Sequence, residues 1–262
     1  MDLNLKGKVV LMTGAAGKKG SIGETILQKL IEEGAIVAVV DRNKRGESYV
    51  EEIKEKGKEA FFVQTNLTDP VAIEAAVKKV SEKYSRIDIV INNVGVNDGV
   101  GLEASYEEFL QSLHLNLISY FLIVKHALPF LKESKGNILN VGSKVAETGQ
   151  GNTSGYAASK GGVLALTREW AVDLIKFGIR VNCLMIAECY TPAYDDWIKK
   201  LENGEETLQK IKNTIPFENR MTTPEELANQ VLFTVSDRSS HTTGQFIFVD
   251  GGYRHLDRAL LK

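Results

Sequence analysis

Seven short runs of aliphatic and β-branched residues recur along the chain with amphipathic stretches between them. That alternation restricts the possible folds more than any other feature. The runs are Val9–Met12, Ile36–Val40, Ala60–Val63, Ile87–Ile91, Asn137–Val141, Ile179–Leu184 and Phe246–Val249. Their nearly unbroken apolar character suits strands covered on both faces, as in a parallel sheet. The segments between them, such as Val71–Lys83 and Tyr106–Leu131, are long enough for crossover helices. With right-handed crossovers this gives an α/β fold, a doubly wound parallel sheet of about seven strands with helices on both faces. No repeat or low-complexity linker interrupts the pattern, and five prolines in 262 residues mark no hinge. One domain over residues 1–262 is expected.

Residues 189–221 break the rhythm. Tyr190, Tyr194 and Trp197 lie there among Asp195, Asp196, Glu202 and Glu205. The next helix announces itself at Thr223-Pro224-Glu225-Glu226, an N-cap followed by proline at the first helical position and acidic residues suited to the helix dipole. An insertion after a strand's carboxyl end sits where open α/β sheets bind ligands. It reads as a helical lid over a substrate, with a surface helical hairpin as the plain alternative.

Composition narrows the partners. A formal charge of −2 gives no electrostatic case for nucleic acid or an anionic membrane. No apolar run approaches the roughly 18 residues of a membrane span, and the first six residues lack the apolar core of a signal peptide. Cys183 and Cys189 suggest neither a disulfide framework nor a zinc site. The four histidines are scattered and form no His-Glu-x-x-His motif, so no metal is expected. A reduced, cytoplasmic protein fits these features.

The chemistry is written in four places. Strand one runs into Thr13-Gly14-Ala15-Ala16-Gly17-Lys18-Lys19-Gly20-Ser21-Ile22-Gly23, where glycines let backbone N–H groups approach a phosphate at a helix N-terminus. Asp41 closes strand two, eighteen residues past Gly23. A carboxylate there accepts ribose hydroxyls and repels a 2′-phosphate, which favours NAD over NADP. Arg42, Lys18 and Lys19 argue the other way and leave NADP open. Tyr156 and Lys160 lie four apart, about 40° around a helix axis, so both reach one spot. An ammonium near a phenol pulls its pKa below about 10 and makes it a usable base. Ser143 lies thirteen residues upstream of Tyr156.

From Lys8 to about Gly252 this set resembles the short-chain dehydrogenase/reductase family. The resemblance implies a Rossmann-type domain, a nicotinamide cofactor and a homotetramer. It also implies a catalytic group of Asn116, Ser143, Tyr156 and Lys160. In that group Tyr156 is the base, Ser143 holds the reacting oxygen and Lys160 tunes Tyr156 and bonds the nicotinamide ribose. Asn116 positions a water. Cofactor contacts fall to Gly14, Ser21, Ile22, Gly23, Asp41, Asn66, Leu67, Asn93, Gly95 and Thr191, besides Tyr156 and Lys160. This chain departs from the family's Thr-Gly-x-x-x-Gly-x-Gly: three extra residues lengthen the loop and Ser21 replaces the middle glycine. The longer loop resembles the enoyl-carrier-protein reductase branch, whereas the Tyr156–Lys160 spacing does not. Asn66 stands where the family usually has aspartate, and Ile186-Ala187-Glu188-Cys189-Tyr190-Thr191 where it usually has Pro-Gly before the threonine.

Several stretches resemble a narrower group, the bacterial L-fucose dehydrogenases and related sugar 1-dehydrogenases. They are Val96–Leu102, Thr148–Gly155, Arg168–Val172, Ala187–Ile198, Ser240–Gly244 and Asp250–Arg258. A sugar needs several fixed partners, because each unpaired buried hydroxyl costs about 1–3 kcal/mol. Asn97, Asp98, Gln150, Asn152 and Glu188 lie in loops at strand carboxyl ends and can supply them. Trp197 or Tyr194 can stack on a pyranose. Oxidation of an aldose at C1 is the expectation. A carbonyl reductase of the 3-oxoacyl-carrier-protein type and a non-catalytic NAD(P) sensor are the alternatives.

Overall fold

The computed structural model describes residues 1–256; Asp257 and Arg258, which end the last sugar-dehydrogenase-like stretch, lie outside the described residues. The strands are β1 (Val9–Thr13), β2 (Ile36–Asp41), β3 (Ala60–Gln64), β4 (Ile89–Asn92), β5 (Asn137–Ser143), β6 (Arg180–Ile186) and β7 (Phe246–Phe248). They form one sheet in the order β3-β2-β1-β4-β5-β6-β7, and every pairing is parallel. All seven apolar runs became strands. The order reverses between β1 and β4, which opens a crevice at their carboxyl ends.

Alternate side chains of each strand feed opposite cores. Leu11, Ala38, Val90, Ile138 and Val181 pack under α3 (Pro70–Tyr84), α5 (Ser119–Ser134) and α6 (Ser154–Leu174). Val10, Val37, Ile89, Leu139 and Leu184 pack under α1 (Ile22–Glu32), α2 (Arg45–Glu55) and α9 (Pro224–Val235). Capping sets the helix starts. Asp69 accepts from the N–H groups of Val71 and Ala72 with Pro70 at the first position, and Thr223 with Glu226 completes the capping box at α9. The 189–221 insertion contains α7 (Pro192–Ile198) and α8 (Gly204–Asn213).

The expected Tyr106–Leu131 helix has a fault in its middle. Between α4 (Tyr106–Leu113) and α5, residues His114–Ile118 take a π turn. Taken through that turn, Tyr106–Ser134 is a 29-residue helix that meets the length and hydropathy of a membrane span, although no unbroken apolar run within it has that length. Its inner face is buried against the sheet through Tyr120, Ile123, Val124, Ala127 and Leu131.

Candidate active site

The glycine-rich loop crosses the end of β4 at a distance no side chain allows. Gly14 has φ +73°, and a Cβ there would lie 2.6 Å from Val94 Cα; a Cβ on Gly23 would lie 2.3 Å from the Gly14 carbonyl oxygen. Asn93 locks this approach by donating from Nδ2 to the carbonyls of Thr13 (3.1 Å) and Gly14 (2.8 Å). The three extra residues fold outward onto α2. Ala16 N–H donates to Asp41 Oδ2 (2.9 Å), Tyr49 donates to the Gly17 carbonyl (2.8 Å), and Lys19 pairs with Glu52 (3.1 Å). Lys18 pairs with Asp196 of α7. Neither lysine is therefore a free cation.

Ser21 is the N-cap of α1, yet its buried Oγ caps nothing and has no hydrogen-bond partner among the described residues. An orphaned hydroxyl beside the outward N–H groups of Ile22 and Gly23 fits the phosphates of a dinucleotide. Asp41 is half-buried and accepts from Ala16 and Asn43, each at 2.9 Å, so two of its four lone-pair sites remain for a ribose. Asn66 Oδ1 is committed to the N–H and hydroxyl of Thr68, which leaves its amide N–H groups. Leu67 is only 4% exposed and belongs to the core, so its side chain is withdrawn from the adenine contact expected of it. Thr191 Oγ1 accepts from Tyr194 N–H (3.2 Å) as the N-cap of α7, which leaves its hydroxyl proton for a carboxamide.

Ser143 ends β5 and Tyr156 opens α6. Burial pushes the Tyr156 phenol above its ordinary pKa; the Ser143 hydroxyl facing it opposes the shift, and the Asp98 carboxylate adds to it. The sequence argument expected the ammonium of Lys160 to pull this phenol down. Burial prevails instead, and Lys160 Nζ donates elsewhere, to the Val141 carbonyl (2.7 Å) and the Tyr120 hydroxyl (3.1 Å). Lys160 is itself pushed down to about 8 by burial. Tyr120, which the sequence argument missed, donates in turn to the Val94 carbonyl (2.8 Å). Asn116 sits in the π turn, wholly buried. Its Oδ1 accepts from Val96 N–H (2.8 Å) while Nδ2 donates to the carbonyls of Val96 (3.1 Å) and Ser112 (3.0 Å). Both amide protons are committed, so this side chain braces the loop after β4 before it can order any water. A Cβ on Gly95 would lie 3.3 Å from Lys160 Nζ and 3.4 Å from Asn116 Oδ1, which places all three together.

The loops expected to meet substrate converge on the same end of the sheet. Asp98 accepts from the Ser112 hydroxyl (3.1 Å) near Tyr156, and Asn97 is exposed beside it. Asn152, at φ +53°, packs on Gly101, and the Gly155 N–H donates to the Val100 carbonyl (3.0 Å). A cleft of about 350 Å³ between β5 and α6 is lined by Thr148, Gln150, Asn152 and Ala157 among others. Trp197 is 44% exposed and meets Tyr194 edge-on, centroids 5.2 Å apart. Glu188, expected to hold ring hydroxyls together with other loop groups, is already engaged within the protein: it forms an ion pair with Lys144 and accepts from the Tyr194 hydroxyl (3.1 Å). Lys144 also reaches the Tyr253 hydroxyl (3.3 Å). Sequence reasoning missed Lys144 and Tyr253, although Lys144 directly follows Ser143.

The chain is similar to known proteins along nearly its whole length. A family model described as enoyl-(acyl carrier protein) reductase, one of the short-chain dehydrogenase models, matches residues 14–254. A 3-oxoacyl-[acyl-carrier-protein] reductase of Thermotoga maritima is 37% identical, over 95% of this chain and 99% of its own length. An L-fucose dehydrogenase of Oryctolagus cuniculus is 32% identical, over 94% of this chain and 84% of its own. Among solved structures, Cj0485 dehydrogenase is 39% identical with a TM-score of 0.92, covering 99% of this chain and 98% of its own. These relatives and structures support an NAD(P)-dependent oxidoreductase, and the chain belongs to the short-chain dehydrogenase/reductase family.

Proposed function

We propose that the protein oxidises the anomeric hydroxyl of an aldose such as L-fucose to the lactone, with NAD as hydride acceptor. One observation carries this reading: the Asp98 carboxylate acts on Tyr156, while Glu188, bonded by Tyr194, pairs with Lys144 directly after Ser143, so charged and phenolic groups stand next to the reacting residues. An acyl chain offers those groups no hydrogen bond in exchange for the water it would displace. The L-fucose dehydrogenase relative supports it; the similarly related 3-oxoacyl reductase supports the alternative, a carbonyl reductase.

In this mechanism Tyr156 as phenolate accepts the C1 hydroxyl proton, and Ser143 holds the same oxygen by a hydrogen bond. Lys160 would bond the nicotinamide ribose, and Asp41 with Ser21 and the Gly14–Gly23 loop would hold the adenosine and phosphates. Bound nicotinamide supplies the hydride acceptor at C4. Residues 189–221 serve as the lid, with Trp197 or Tyr194 against the pyranose face. The working form is a cytoplasmic single-domain homotetramer. Both cysteines are free and buried, which suits a reducing compartment.

The test is a panel of aldoses and 3-oxoacyl thioesters offered with NAD and with NADP, following absorbance of the reduced cofactor. L-Fucose, or a sugar of its configuration such as D-arabinose, should be the best substrate, with NAD preferred. Activity confined to 3-oxoacyl thioesters would replace this reading with the reductase.

A further inference from the structure

Four elements that are distant in sequence meet around one ion pair. Lys144 follows Ser143 at the end of β5, Glu188 follows β6, Tyr194 belongs to α7, and Tyr253 lies in the C-terminal turn. The Lys144 and Glu188 side chains pair while keeping only 13% and 14% of their surface exposed. Tyr194 donates to Glu188 Oε2 (3.1 Å), and Lys144 Nζ donates to the Tyr253 hydroxyl (3.3 Å) while lying 4.5 Å over that ring's centroid. A second link ties the same segments, since Arg254 pairs with Glu147 at 2.7 Å.

A buried ion pair is a poor way to stabilise a fold. Apolar residues of similar volume generally do as well or better, because removing two charges from water offsets their attraction. This pair stands one residue beyond the serine that faces Tyr156, where two strands present their carboxyl ends. It offers an ammonium donor beside a carboxylate acceptor. A vicinal diol makes the complementary offer, with one hydroxyl oxygen accepting while its neighbour donates. An acyl chain or a simple ketone makes no such match and would leave both charges further desolvated.

Resting on the proposed aldose oxidation, we propose that Lys144 with Glu188 forms a substrate subsite that reads two adjacent ring hydroxyls, making Lys144 a specificity-determining residue. Tyr194 and Tyr253 hold the two charges in place from the lid side and the C-terminal side. Burial acts to lower the Lys144 pKa, but the bond and charge of Glu188, aided by Tyr253, more than offset it and keep the ammonium charged. The subsite therefore keeps its donor through the whole neutral range.

The experiment compares L-fucose with its monodeoxy analogues in the wild-type enzyme, in Lys144→Met and in the doubly neutral Lys144→Met/Glu188→Leu. The wild type should lose at least about tenfold in kcat/KM on one of the deoxy sugars, the size of a lost hydrogen bond to a charged group. In Lys144→Met, KM for the parent sugar should rise by a similar factor, and the penalty for removing that hydroxyl should vanish. NADH binding, read by its fluorescence, should stay within about twofold, as for independent sites. The double variant removes both charges together, so it should remain folded by circular dichroism and show the same loss of discrimination. Full discrimination retained in either variant would overturn the subsite. Equal loss of cofactor binding and turnover, with discrimination intact, would assign Lys144 to structure alone. A wild type that oxidises no aldose would remove the parent reading and this one with it, whereas aldose activity indifferent to Lys144 would remove only the subsite.

Discussion

Burial moves the two central titrating groups toward neutrality from opposite sides. It raises the Tyr156 phenol above its ordinary value and lowers the Lys160 ammonium to about 8. In the oxidative direction the phenolate is the base, so turnover should climb with pH below the Tyr156 pKa. Above about 8 Lys160 loses its proton and with it any help to the phenolate, so the climb should become shallower there. Lys160→Met should lower turnover, weaken cofactor binding and erase that break, and a pH profile of kcat for both proteins checks it. Tyr156→Phe should lower kcat by about 10²-fold or more, the scale of a lost general base, with NADH affinity nearly unchanged. Wild-type turnover in Tyr156→Phe would remove the tyrosine from that role. Tyr156, Lys160 and Ser143 are singled out by their spacing together with the family resemblance. Lys144 and Tyr120 could not, because what singles them out is a partner across the fold: Glu188 for one and the Lys160 ammonium for the other.

At the scale of elements, the strands were legible because burial on both faces writes continuous apolar runs, and the capping box at Thr223 fixed the start of α9. The π turn at His114–Ile118 was not, since one residue added to a helical turn leaves no mark on composition. The lengthened glycine-rich loop had no readable path either; its course follows from contacts with α2 and α7. That course changes what Asp41 does. Its carboxylate holds Ala16 and Asn43 as well as standing where a ribose would bind. Asp41→Ala should therefore do two things: narrow or reverse the preference for NAD by removing repulsion of a 2′-phosphate, and weaken NAD binding by loosening the loop. Asp41→Asn keeps one acceptor oxygen and removes the charge, so it should shift selectivity with a smaller loss of thermal stability. Ratios of kcat/KM for the two cofactors, with melting temperatures, separate the effects. A wild type faster with NADP at equal concentration would contradict the role given to Asp41.

At the scale of the whole molecule, the sheet's α3–α5–α6 face keeps apolar side chains that the described residues do not cover. Phe121 on α5 is 46% exposed, Val172 on α6 is 72% exposed and Ile175 just beyond α6 is 65% exposed. Both helices pack inward on the same core cluster, so their outer sides point the same way. A two-fold contact in which α5 and α6 meet their own copies would bury these side chains, since an isologous patch must be complementary to itself. Sedimentation at micromolar concentration should give a tetramer, and Val172→Glu should split it, because a carboxylate would then be desolvated beside its own symmetry mate. The exposed position of Val172 means the folded subunit should survive that change, with its circular dichroism intact. A wild-type monomer, or a Val172→Glu tetramer of undiminished stability, would place the assembly contact elsewhere on the molecule.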